Sequence, residues 1–215
     1  MSFFELLTPI RIYILFTFIM LVISYNKDKK AHRILFIILL LSVINESMSG
    51  VLKYNNIPIR LNGSIFIVLN NILWFLILYN VSSIKKPLLL TVMIFFLSFT
   101  VYNLFLLNGI KEFNSYSFVI GAFLYLILFI YNCSSELKKE NLNYFLSNNF
   151  ILMLSPVLFF IGFSLLFGFN NKNIHKIMIL NRFKLYDFIS YFVNITYYSL
   201  LNVYIYREKK LKHVE

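Results

Sequence analysis

Seven long apolar stretches occupy almost the whole of this 215-residue sequence. They run over about residues 9–25, 33–51, 64–84, 87–108, 117–133, 148–168 and 185–206. A helix rises ~1.5 Å per residue, so crossing a hydrocarbon core of ~30 Å takes about 20 apolar residues. Each stretch meets or approaches that length, is rich in Leu, Ile and Phe, and is nearly free of charge. Seven fully buried helices in a soluble domain would leave almost no polar face for water. A transmembrane barrel needs short strands that alternate apolar and polar residues, whereas these runs are continuously apolar. The expected fold is therefore all-α: a polytopic membrane protein with a seven-transmembrane-helix bundle.

The hydrophobic fraction of 60% and mean hydropathy of +0.76 agree with a lipid solvent. Ile23, Ser24, Tyr25 and Asn26 follow the first stretch and offer no small-residue cleavage site, so it is read as a retained span. The loops 134–147 and 169–184 are too short to bury a core of their own. A single membrane domain over 1–215 is expected. Mixed charges at Glu136, Lys138, Lys139 and Glu140 predict a solvated helical extension of the fifth span. Ile174, Ile177, Met178 and Leu180 interleave with His175, Lys176 and Arg182, which fits either an amphipathic surface turn or an ordinary loop.

The net charge of +11 comes from loops and tail. With the amino terminus outside, the cytoplasmic side receives twelve of the 20 Lys and Arg residues and the outer side eight. The positive-inside rule then places the amino terminus outside and the carboxyl terminus in the cytoplasm. The loop that holds Lys172, Lys176, Arg182 and Lys184 runs against this bias. No aromatic-basic interleaving accompanies the positive charge, so no nucleic-acid partner is expected. The partners expected are the lipid bilayer, a small-molecule or lipid ligand, and a signalling protein or a second copy of the chain. The low-glycine, lysine- and asparagine-rich usage points to a bacterial inner membrane.

Polar side chains inside spans carry the functional expectation, because hydrocarbon penalises them unless they face the bundle interior or water. Glu46 lies about 13 residues beyond Arg33, roughly 20 Å along the second span and in its outer third. Asn45 is its neighbour, and Ser42, Ser49 and Gly50 share its helical face. Asn70 and Asn71 enter the third span to a similar depth, and Asn103 of the fourth falls near the same level. In the seventh span Asp187, Tyr191, Asn194, Tyr198 and Asn202 form a stripe at three- and four-residue steps. These segments together predict a polar cavity in the outer half, lined by Glu46, Asn45, Asn70, Asn71, Asn103, Tyr191 and Asn194. The alternative is an interhelical hydrogen-bond cluster that only holds the bundle together, at about 0.6 kcal/mol per bond. A carboxylate favours function, since an amide or hydroxyl would link helices at lower desolvation cost.

Other signals are local. Pro156 removes a helical hydrogen bond and frees the carbonyl of Leu152, for which the Ser155 hydroxyl is a candidate partner. Asp187 reads as a helix-start residue. Trp74 and many tyrosines near span ends suit an interfacial aromatic belt. With six Gly and two Ala, the spans lack small-residue seams, so Phe and Tyr must fill the interior. The lone Cys133 excludes an internal disulfide and a cysteine-rich metal site. His32, His175 and His213 fall in loops or the tail. There is no HExxH, no phosphate loop, no GxSxG and no lysine at mid-depth in span seven for a retinal Schiff base. No cofactor is expected, and catalytic residues are not identifiable.

On span count, length and the Asn45–Glu46 step, the chain resembles small seven-helix membrane proteins of bacteria, some of which are similar to the membrane sensor halves of signalling proteins. That resemblance implies a receptor-like or sensory module. In length and span number it is also similar to the lysoplasmalogenase-like membrane hydrolases, which use intramembrane acidic residues. Here Glu46 stands in span two without a paired aspartate. A lipid hydrolase and a transporter or oligomeric pore are the alternatives to the sensor.

Overall fold

The computed structural model describes residues 8–107, 112–168, 177–179 and 183–212. Among them the chain is almost entirely helical: α1 Pro9–Ile23, α2 Lys30–Tyr54, α3 Arg60–Val81, α4 Lys86–Tyr102, α5 Ser115–Lys138, the short α6 Asn143–Leu146, α7 Asn148–Gly168 and α8 Leu185–Lys212. A π-helical turn, Asn103–Leu107, prolongs α4. Five of these helices (α2, α3, α4 with its π turn, α5 and α7) are long and apolar enough to cross a membrane. The other two long helices differ from that pattern. α1 has only 15 residues, about 22 Å. α8 has 28, about 42 Å, but a mixed composition.

Local signals set the helix ends. Thr8 caps α1 by accepting from the Arg11 N–H, and Pro9 sits in its first turn, where a missing N–H costs nothing. Asn56, with φ 57°, turns the chain between α2 and α3 in the left-handed region that asparagine tolerates. Asp187 lies in the first turn of α8, as expected. The extension of α5 reaches Lys138 and is followed by α6. Most of the segment 169–182 lies outside the described residues, His175 and Lys176 included. Its described part pairs Met178–Ile179 with Phe183–Lys184 as a two-residue antiparallel ladder.

The long helices alternate in direction. The end at which α1 starts is called upper here. α1 packs between α2 and α8, α3 against α2 and α5, and α7 against α5 and α8, which closes a ring. α4 stands outside that ring, against α3 and α5. The interior is aromatic: Trp74, Phe75, Phe96, Tyr125 and Phe160 are fully buried. Trp74 thus departs from the expected interfacial belt. It lies edge-on to Tyr125 and Tyr197 in the core, because the ring of helices needs bulky fillers where glycine and alanine are scarce. The outer surface is apolar instead, with Ile94 63% and Leu106 70% exposed. In water such a surface would drive aggregation; lipid accepts it. The architecture is compatible with an integral membrane protein in contact with a bilayer.

The lower end is tied by polar contacts. Glu208 of α8 accepts from Lys29 Nζ at 2.6 Å and from Asn148 Nδ2 at 2.8 Å, with His32 Nε2 3.6 Å away. His32 corrects a sequence expectation: it lies in the first turn of α2, 1% exposed, not in a loop. Its Nδ1 accepts from the Asn26 N–H, which leaves Nε2 facing the carboxylate. His32, then Lys29 and Asn148, hold the Glu208 carboxyl down to about 2 against its desolvation. Nearby, Lys139, Ser83 and Asn141 hold Glu136 at about 2. Asn132 accepts from the Ser83 N–H and donates to Tyr144, joining α5 to α6 and to the turn after α3.

Candidate functional site

Within the upper half of the ring lies a cavity of about 300 Å³. Glu46, Asn70 and Asn194 sit eight to ten residues from the upper ends of their helices, so about 12–15 Å deep. α2 contributes Ser42, Asn45 and Glu46; α3 contributes Asn70; α8 contributes Ser190, Asn194 and Tyr198. The opposite wall is aromatic, with Phe118 of α5 and Phe159, Phe163 and Phe167 of α7. The i, i+3 and i+4 spacing of the α2 and α8 residues explains the wall: each set occupies one face of its helix, and both faces turn inward.

Glu46 is anchored from α1. Its Oε2 accepts from Arg11 Nε at 3.0 Å, and its side chain is 37% exposed. Asn45 is held from α3, where Asn62 Nδ2 donates to its Oδ1 at 2.9 Å and also to Ser49 Oγ. Two amides differ from these. Asn70 is 5% exposed and lines the cavity, and its side chain makes no hydrogen bond to another described residue. Asn194 is 8% exposed; its Nδ2 donates to the Ser190 carbonyl, and its Oδ1 has no protein partner there either. Two amides that line one cavity can be satisfied by what enters it, which makes the wall able to give polar contact.

Three sequence candidates stand apart from the cavity wall. Asn71 donates to the Ile67 carbonyl and faces Gly121 of α5. Asn103 donates to Ser117 Oγ at 3.1 Å and to Asn114, whose own N–H is bonded to Ser64 Oγ. This buried polar cluster ties the end of α4 to α3 and α5. Tyr191 is 40% exposed and lines a groove on the outer surface between α1 and α8. The structure therefore brings together Asn45, Glu46, Asn70 and Asn194.

Sequence reasoning missed Arg11 as the partner of Glu46. The signal was present: each is an ionisable residue in the upper part of its apolar segment, on consecutive and antiparallel helices. Ser42 was read on the Glu46 face and Tyr198 in the α8 stripe, neither of them assigned to the site, and both line the cavity with Ser190. Asp187, the other carboxylate within a span, is exposed and does not line the cavity. Among the described residues no three His, Cys, Asp or Glu side chains converge as a metal site would require. Comparison of this chain with protein-family models, with curated proteins and with solved structures finds no match.

Proposed function

We propose that this chain is a seven-crossing membrane protein of receptor-like or sensory kind, with its upper end outside and its tail in the cytoplasm of a bacterial cell. It binds a small or lipidic ligand in the upper-half cavity. Glu46, Asn45, Asn70 and Asn194 supply the polar contacts, and the phenylalanines of α5 and α7 pack the apolar part. The observation that carries this reading is the cavity itself, whose polar wall comes from three separate helices and includes the amides of Asn70 and Asn194. By contrast, Asn103, Asn114 and Ser117 bond to one another and line no part of this cavity. α8 connects the site to the other end of the molecule: it carries Ser190, Asn194 and Tyr198 above and Glu208 below. A ligand that shifts α8 therefore acts on the contacts to the starts of α2 and α7. The readout then passes to a partner protein or a second copy through the basic lower loops and tail. A hydrolase built on paired carboxylates is less well supported, since the described partner of Glu46 is a cation.

The test is thermal unfolding of the purified protein in detergent against a panel of small polar metabolites and single-chain amphiphiles. A ligand at a hundredfold excess over its Kd adds about 2.7 kcal/mol to stability. The expected outcome is a compound that raises the midpoint of the wild type and fails to raise that of Glu46→Gln. A panel that moves neither protein, or a shift of equal size in both, removes the site.

A further inference from the structure

The interior cavity adjoins the lipid-facing surface at one place. A groove of about 510 Å³ runs along the outside of the α1/α8 seam, lined by Ile12, Tyr13 and Phe16 of α1 and by Tyr191 and Ile195 of α8. Ile10 and Asn194 line both this groove and the cavity, so these two side chains form the partition between them. Side-chain hydrogen bonds pin α1 to α8 below that level. Tyr13 Oη meets Ser199 Oγ at 2.8 Å, and Asn202 Nδ2 donates to Thr17 Oγ1 at 3.1 Å. At the partition itself the α1 contribution is a half-buried isoleucine, an apolar and rotatable side chain.

Polarity changes sharply across the partition. On the inner side stand the amides of Asn70 and Asn194 and the Glu46 carboxylate, whose described hydrogen bond comes from Arg11 to Oε2. On the outer side the wall is almost wholly apolar, and Ile12, Phe16 and Ile195 are all at least half exposed. A molecule that satisfies both sides has a compact polar head and a hydrocarbon chain. The acceptors of Glu46 and Asn194 favour a head that donates hydrogen bonds.

We propose that the α1/α8 seam at Ile10 and Asn194 is a lateral portal for a single-chain amphiphile with a hydrogen-bond-donating head. The head reaches Glu46, Asn70 and Asn194 inside the cavity, and the chain stays in the groove along Ile12, Phe16 and Ile195. This inference rests on the cavity being a binding site and adds the ligand's class and its route.

The experiment uses the full chain in phosphatidylcholine vesicles, a monoacylglycerol carrying a diazirine on its acyl chain, and unlabelled monoacylglycerol as competitor. The expected result is saturable, competed labelling at Phe16 and Ile195. Read at Phe16, it drops at least tenfold in Ile10→Trp, which plugs the partition, and in Ile195→Trp, which fills the groove from the lipid side without touching the core. Competed labelling of Phe159 or Phe163 that persists in both variants shows a cavity reached by another route; it overturns the portal and leaves the binding site standing. Labelling that is never competed, and is spread over lipid-facing positions such as Ile94 and Leu106, overturns the portal and its ligand class. The thermal-shift panel then decides the cavity separately.

Discussion

Gly121 shows how a sequence poor in small residues still achieves close approach. A methyl group added there would lie 2.7 Å from Oδ1 of Asn71 and 2.7 Å from Cε2 of Phe96. It would wedge apart α3, α4 and α5 at a buried point where Asn71 is already held by Ile67. Gly121→Ala is expected to cost about 1–3 kcal/mol, as overpacked cores do, read as a lowered unfolding midpoint in detergent. An unchanged midpoint would mean that this junction is looser than its geometry. At this scale the sequence was legible in depth but not in azimuth. Asn70 and Asn71 share a level, yet neighbouring helical residues point about 100° apart. One therefore reaches the cavity and the other turns to α5. Tyr191 precedes Asn194 by three residues and belongs to the same stripe, but it falls on the lipid side of the seam. Periodicity gives the faces of a helix; only packing decides which face meets the interior.

Among elements, α7 was read closely and α4 was not. The expected exchange around Pro156 is present: Ser155 Oγ donates to the Leu152 carbonyl at 2.8 Å, replacing the bond that proline cannot make. Both residues are buried. Ser155→Ala leaves that carbonyl unsatisfied and is expected to cost about 1–3 kcal/mol. Adding Pro156→Ala restores an N–H donor within the helix and should recover part of the loss. If the double variant is less stable than Ser155→Ala alone, the proline is needed for packing and not merely compensated. The position of α4 outside the ring had no signal in its sequence, because its apolar face looks like that of any lipid-facing helix. Asn103 consequently bonds to Ser117 and Asn114 beside the start of α5, nearer the upper end than Asn70, instead of reaching the cavity. α8 adds a charge-dependent contact beyond Tyr206. The Glu208 carboxyl is lowered from its ordinary 4.5 to about 2 in the folded protein. Its folded value lies below its unfolded one, so its contribution is complete above about pH 4.5 and disappears as pH falls toward about 2. The unfolding midpoint should fall over that window, and by less in Glu208→Gln. Equal slopes in the two proteins would assign the acid sensitivity elsewhere, with Glu136 the next candidate.

For the whole molecule, the solvent determines which surface counts as outside. An aromatic core wrapped in exposed isoleucine, leucine and phenylalanine suits contact with hydrocarbon better than contact with water. Continuous apolar runs made the helical class plain in the sequence. The status of α1 and α8 was less legible, because one is short and the other is interrupted by polar residues that turn inward. Their directions nevertheless follow from contacts. Tyr13 meets Ser199 and Thr17 meets Asn202, so α1 and α8 run parallel, with the start of α1 and the finish of α8 at opposite ends of the bundle. The lower loops and tail hold twelve of the 20 basic residues, which predicts that the lower end is cytoplasmic. Site-directed labelling tests both points at once. After Cys133→Ser, single cysteines are introduced at Lys53 in the last turn of α2, at the upper end, and at Asp28 in the lower loop, both exposed. A membrane-impermeant maleimide applied to intact cells is expected to modify Lys53→Cys, and to reach Asp28→Cys only after permeabilisation. The reverse pattern would invert the molecule and turn the cavity toward the cytoplasm. Modification of both positions in intact cells would mean that α2 does not cross the bilayer, and lipid would then no longer account for the apolar surface of the bundle.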